Sequence, residues 1–283
     1  MNAKMTLIEN KIFDEERALY SLCEIVVKNC TFSGPADGES AIKECQNVRV
    51  ENSRFELRYP FWHNDGVSII SSELAEGCRA ALWYSKEIEI KNSLLLGVKA
   101  LRECSDVYID STSISSPEFG WSVKNIRMKD CTASGEYFML RSENVHFENT
   151  YLDGKYSFQY IKNAMFENCE FNTKDALWHA ENVTLKNCTV RGEYLAWYSK
   201  NVTFINCKIT GTQPFCYCSA LHLVDCEIND AYLAFEKSDV TATLTAPVIS
   251  IKNPYSGSIT LPSVGEIIIN DPKARCQIKT WKK

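Results

Sequence analysis

Five of the six tryptophans, Trp62, Trp83, Trp121, Trp178 and Trp197, are separated by 21, 38, 57 and 19 residues, close to multiples of one interval. The residue after each is polar: His63, Tyr84, Ser122, His179 and Tyr198. Arg102 and Glu103 fill the same pair of places between Trp83 and Trp121. Aromatic faces interleaved with Arg and Glu are what a sugar-ring surface needs: flat apolar area with hydrogen-bonding groups at its rim. Trp83, Tyr84, Arg102, Trp121, Trp178, His179, Trp197 and Tyr198 are therefore the expected ligand contacts. Tyr84, Arg102, Glu103, Trp121, Arg141 and Tyr160 would lie within about 20 Å at strand spacing. There Arg102 could stack on both flanking indoles, and Arg141 could hold a carboxylate-bearing sugar through two hydrogen bonds. Glu103 or Tyr160 could act as acid or base. Glu103, Arg141 and Tyr160 are the catalytic candidates.

A second cluster sits near the N-terminal end: Asp37 and Glu39 in a long insertion, with Glu44, Arg58, His63 and Arg79. Two carboxylates and a His could support proton transfer. The alternative is that these charges pair with one another on a wet surface. No metal site is expected. His63 and His179 share a place in the repeat but lie roughly 29 Å apart at strand spacing, and His146 and His222 fall on a different face. Cys216 and Cys218 bracket Tyr217, but alternate residues on a strand-like run need not converge.

These residues must be positioned by a repeat of about 19 residues. KNVTFINCKITGTQPFCYC from Lys200, ENVTLKNCTVRGEYLAWYS from Glu181 and KNAMFENCEFNTKDALWHA from Lys162 are successive copies. Others open at Cys23, Gln46, Asp65, Lys86, Ser105, Lys124, Glu143 and Ser219. The copy from Asp65 carries two extra residues and the copy from Cys23 four, in GPADGES. Positions 3 and 5 are apolar and positions 4 and 6 mostly polar, the alternation of a strand with one buried face. Position 7 is usually Asn or Asp, suited to a left-handed bend. Position 8 is small, mostly Cys or Ser, and position 10 is apolar. A unit this short cannot hold a helix pair; it is one turn of a β-solenoid with three short strands. The expected fold is all-β: a single-stranded right-handed parallel β-helix of about eleven coils, with crossovers of the usual hand. It forms one domain over 1–283, with a partial first coil over 1–22, repeat coils over 23–238 and a β-rich C-terminal cap over 239–283.

Position 16 is apolar and must point inward. Positions 17 and 18 hold the tryptophans and their polar followers, and by the same count also Lys43 and Glu44, Gln159 and Tyr160, Cys216 and Tyr217, and Phe235 and Glu236. Two polar-capable places in succession break the alternation, so a bend or bulge is expected there. Either position 17 forms an exposed or half-exposed aromatic face, or its indoles stack in the core. Lys43, Arg102 and Gln159 favour the former, because unpaired charges are costly to bury.

Net charge is −5 with both signs mixed, which argues against nucleic acid as the main partner. No stretch is long and apolar enough for a membrane span, and residues 1–14 lack a signal-peptide pattern, so a cytoplasmic location is expected. Thirteen cysteines, spaced by the repeat, read as reduced buried thiols forming a ladder rather than as a disulfide framework or metal site. No cofactor is expected.

The stacked Asn-Cys pairs resemble the pectin-lyase-like β-helix superfamily. The strings GPADGESA, RYPFWHNDG, CRAALWYSK, ALREC, SPEFGWS and GEYLAWYS are similar to an uncharacterised bacterial family of β-helix proteins. The resemblance covers most of the chain. It implies the fold and, at the level of ligand class, carbohydrate. The sequence departs from the superfamily's enzymes: it matches neither the hydrolases' aspartate constellation nor the lyases' calcium-binding aspartates. Three functions follow: binding or processing of an oligosaccharide or uronate-type ligand on the position 17 and 18 face; a non-catalytic scaffold that uses that face to hold a protein partner or a second copy as a homodimer; and, behind these, a metal or redox role for the cysteines.

Overall fold

The computed structural model describes residues 5–35 and 39–281, and the chain falls into two compact units, Met1–Glu143 and Asn144–Lys283. Asp37 lies outside the described residues. Every named element among those described is a β-strand, and the fold is a right-handed parallel β-helix of about 14 turns, against the eleven expected.

The first side of each coil is a strand of about six residues. In the first unit Cys23–Lys28, Gln46–Glu51 and Asp65–Ile70 stack in parallel, with Ile25 on Val48 on Val67. In the second, Lys162–Glu167, Glu181–Lys186 and Lys200–Ile205 place Ala164 on Val183 on Val202 and Phe166 on Leu185 on Phe204. Positions 3 and 5 are buried in every one of these strands, so the period-two pattern drives them: like apolar side chains stack and leave water together. A short second strand follows the bend, as in Glu170–Lys174 and Thr189–Arg191. Beneath it Phe13, Phe32 and Phe55 stack with ring centroids 4.8 and 4.5 Å apart.

The bend is built as expected. Asn168, Asn187 and Asn206 all have φ between 50° and 54°, and the amides of Asn187 and Asn206 donate to the Asn oxygen one coil back, at 3.2 and 2.9 Å. A second amide ladder, at position 2, is not evident from the repeat alone. Asn163, Asn182 and Asn201 donate to Asn144, Asn163 and Asn182 at 3.3, 3.1 and 2.8 Å, again from left-handed backbone.

The third side differs from the expected strand. In the second unit it is a run of turns in which positions 14, 16 and 18 are all left-handed: Tyr194, Ala196 and Tyr198, for example, have φ of 58–59°. Alternating right- and left-handed residues aim successive N–H and C=O groups along the coil axis. Tyr194 and Tyr198 thus donate forward to Thr212 and Cys216 (3.0 and 3.1 Å), and Ala196 back to Ala176 (2.8 Å). Each left-handed residue costs about 1–2 kcal/mol, comparable with the net gain from one hydrogen bond. Burial of position 16, where Phe215 is fully enclosed, supplies the difference. In the first unit only Leu82–Trp83 and Leu101–Arg102 pair as short strands on this side.

Two readings of the late sequence change. The coil from Ser219 has one extra residue near Asp230. Phe235, buried with φ 66°, therefore takes position 16, and Lys237 takes position 18. Residues expected only to close the stack add further parallel strands: Asp239–Leu244, Ser256–Leu261 and Gln277–Thr280.

The Asn ladder gives a direct test. Asn187→Ala removes two ladder bonds and places a Cβ residue without a polar side chain at φ 54°. It should lower unfolding free energy in urea by about 1–3 kcal/mol, whereas Asn187→Gly, which relieves the backbone, should lose less. Equal losses would mean that backbone handedness is not what the asparagine serves.

Candidate functional site

In the first unit, position 17 is a continuous column of indoles and cations. Lys43 Nζ lies 4.4 Å from the Trp62 centroid, Trp62 stacks on Trp83 at 5.9 Å, and Arg102 sits 5.1 Å from Trp83 and 5.4 Å from Trp121. The last indole also has Lys99 at 5.6 Å. All these residues are half-buried. A cation between two rings keeps a favourable electrostatic partner on each face while its hydrocarbon stem is covered. Arg102 is further fixed by Glu103, whose carboxylate accepts from Nε at 3.1 Å.

Position 18 forms the exposed row beside it. His63 and Tyr84 stack at 5.0 Å, with Tyr84 44% exposed. His63, Tyr84, Glu103 and Ser122 make one wall of an open groove of about 650 Å³. Asp65, Lys86, Ser105 and Lys124, at position 1, make the other. These position 1 residues were not singled out from sequence. The turn at positions 18 and 19 brings them beside the His–Tyr row. At the groove's N-terminal end Tyr20 donates to Glu44 at 2.7 Å, and Lys43 pairs with Glu44 at 3.4 Å. The Tyr20 hydroxyl holds the Glu44 carboxyl below the usual carboxylate range, with Lys43 and His63 acting in the same direction.

In the second unit Tyr160, His179, Tyr198 and Tyr217 form a stack with centroid spacings of 4.8, 5.1 and 4.8 Å and interplanar angles of 8–10°. Lys237 closes it, 5.8 Å from Tyr217. Behind it Trp178 and Trp197 stack at 5.5 Å and 6°. The buried Cys216 takes the next place in that column.

The tryptophans also have a structural duty. Trp121, Gln159, Trp178 and Trp197 each donate a side-chain N–H to the carbonyl 16 residues ahead, at 2.7–3.1 Å. That carbonyl belongs to the left-handed position 14 residue of the next coil. The buried Nε1 groups of Trp62 and Trp83 have no acceptor among the described residues.

This geometry corrects the expected mode of sugar contact. Parallel rings stacked on one another, or capped by Lys or Arg, do not offer their faces to solvent. What points outward is a row of edges: phenol hydroxyls, imidazole nitrogens, and the carboxylate and ammonium groups of the groove. The proposed central group is also divided. Tyr84, Arg102, Glu103 and Trp121 are adjacent, and the exposed Arg141 holds Glu103's place two coils on, while Tyr160 belongs to the second unit. The N-terminal cluster separates into local pairs. Glu39 binds Arg58 at 2.9 Å, Glu44 is taken by Tyr20 and Lys43, His63 joins the Tyr84 stack, and Arg79 is exposed. Among the described residues, no three His, Cys, Asp or Glu side chains are grouped to hold a metal ion.

The molecule is thus a parallel β-helix carrying polar-edged aromatic ladders on its third side. The chain belongs to the family described as protein of unknown function (DUF3737), which it matches over residues 6–280. No curated protein sequence matches it. Among solved structures, the tailspike protein gp49 of Acinetobacter baumannii bacteriophage Fri1, a capsular polysaccharide depolymerase, is 13% identical over 80% of this chain, with a TM-score of 0.36. A tailspike protein of E. coli bacteriophage HK620 is 10% identical over 91%, TM-score 0.33. The mannuronan C-5 epimerase AlgE4 A-module of Azotobacter vinelandii is 11% identical over 99% of this chain and 80% of its own length, TM-score 0.30. The chain spans 50% and 62% of the two tailspike chains. Likenesses this distant assign no substrate.

The Glu44 contacts make acid stability a readout of the groove's end. A carboxyl depressed in the folded state contributes stability above the unfolded carboxylate range, near pH 4.3, and loses it as pH falls through the folded value. Tyr20→Phe should therefore lower Tm at pH 7, with the difference from wild type shrinking towards about pH 3. A pH-independent difference would show that the hydroxyl acts by packing alone.

Proposed function

We propose that the chain binds an extended, hydroxyl-rich glycan, with uronates included, along the groove of the first unit. The supporting observation is the pairing of His63, Tyr84, Glu103 and Ser122 with Asp65, Lys86, Ser105 and Lys124 on successive coils. Hydrogen-bonding groups thus recur once per coil, about every 4.8 Å, close to the advance of one pyranose along an extended glycan. Donors and acceptors of both charges suit a ligand that presents hydroxyls on every unit. Lys86 and Lys124 supply positive charge for carboxylates, and Glu103 and Asp65, paired with Arg102 and Lys86, accept from hydroxyls. Arg102, held between two indoles, fixes the Glu103 carboxylate, so little side-chain freedom is lost there when a ligand arrives. In this reading Glu103 is a ligand contact before it is an acid or base, and the position 17 indoles support the groove from beneath.

Tryptophan fluorescence titrated with neutral and uronate oligosaccharides of increasing length tests this. Affinity should rise with length up to about four sugars, one per coil of the groove. Tyr84→Ala and Glu103→Gln should each weaken binding about tenfold, equivalent to about 1.4 kcal/mol. A flat response across the panel, or binding indifferent to both substitutions, would sink the proposal.

A further inference from the structure

We propose that the column Cys169, Cys188, Cys207 and Cys226 in the second unit is a binding site for a soft monovalent cation of the Cu(I) type, held linearly between the sulfurs of neighbouring coils. The four thiols occupy position 8 of consecutive coils, and each is at most 2% exposed. None is in a disulfide. The strands that follow them pair in register, Glu170 with Thr189, Thr189 with Lys208 and Lys208 with Glu227, so each thiol has its equivalent in the next coil as its neighbour along the column.

Spacing selects the ion. A two-coordinate ion needs its sulfurs separated by twice a metal–sulfur bond of about 2.3 Å. Successive coils are about 4.8 Å apart, so small side-chain adjustments meet that requirement. A straight column gives an ion only the sulfur above and the sulfur below. It cannot supply the four converging ligands that zinc takes in a structural site, while thiolates favour Cu(I).

The surroundings select the charge. Each sulfur lies beside two backbone carbonyls: Cys188 at 3.4 Å from Phe166 O and 3.3 Å from Lys186 O, and Cys207 at 3.4 Å from Leu185 O and 3.3 Å from Ile205 O. Carbonyl oxygens favour a proton or a metal cation on the sulfur and disfavour a bare thiolate. A monovalent ion that displaces one proton, binding one thiolate and one neutral thiol, keeps the buried ladder uncharged, as a low-dielectric interior requires. The proton leaves to solvent and no electrons are transferred.

The chain carries its own controls. Cys104 is a buried thiol between coils that hold Ser85 and Val123 at the same place, so it has no cysteine neighbour. Serine occupies position 8 in the first unit at Ser53 and Ser72, so Cys→Ser in this column suits the fold. Cys23 and Cys276, which are not buried, are replaced by serine in every sample.

The test is uptake of Ag(I), a redox-inert probe, and of Cu(I) by the reduced full-length chain, followed by native mass spectrometry and proton release. Cys188→Ser/Cys207→Ser leaves no two adjacent thiols and should lower Ag(I) affinity at least a hundredfold, while Cys104→Ser leaves it unchanged. About one proton should be released for the first ion bound. Should the double variant fail to fold, Cys207→Ser, which keeps the Cys169–Cys188 pair, should reduce the stoichiometry without abolishing uptake. The proposal is overturned by equal uptake in wild type and double variant, by Zn(II) binding as tightly as Ag(I), or by the column forming disulfides in place of binding the ion.

Discussion

Parallel stacking in register places each side chain over its equivalent in the coil before, and every later feature of this molecule follows from that constraint. Apolar residues accept it without cost, because stacked methyls and rings bury one another. Amides accept it because they carry a donor and an acceptor, so Asn187 can give to Asn168 and take from Asn206. Charges accept it most readily when their signs alternate. Lys162, Glu181 and Lys200 stand in one column, with Glu181 approached from both sides at 4.0 and 3.6 Å. Three lysines in those places would repel along the whole column.

The third side shows how far the constraint reaches. Its backbone is costly residue by residue, yet it holds because N–H and C=O groups are consumed between coils and an indole or amide N–H takes up a further carbonyl. The same stacking closes the faces of the aromatic rings. Aromatic residues here act first as struts with polar edges, and recognition falls to hydroxyls, imidazoles and ion pairs. A surface rich in Trp and Tyr therefore has quite different chemistry on a solenoid from the chemistry it has on a loop.

The strands, the bend at position 7 and the buried thiols were legible because each depends on residues a fixed interval apart, and that interval is visible in the chain. The stacking of Arg102 between Trp83 and Trp121 was legible for the same reason. The turn-rich third side was not: alternating left-handed residues have no side-chain signature when they are Tyr, Leu, Phe or Met. The shift of Phe235 to position 16 was hidden because one residue added near Asp230 leaves the neighbouring pattern plausible. The groove's second wall was missed because position 1 looks like ordinary surface until the corner folds it against position 18.

The left-handed residues carry one more consequence. Among the described residues, none of those outside glycine is Val, Ile or Thr, since branching at Cβ clashes with that backbone region. Many of the same residues, such as Asn144, His179 and Tyr198, lie at the surface. In most folds surface places drift freely among polar residues. Here threonine, an innocuous replacement on an ordinary exposed strand, is a poor substitute at several places in every turn, and the solvent-facing skin of the protein is nearly as selective about shape as its interior.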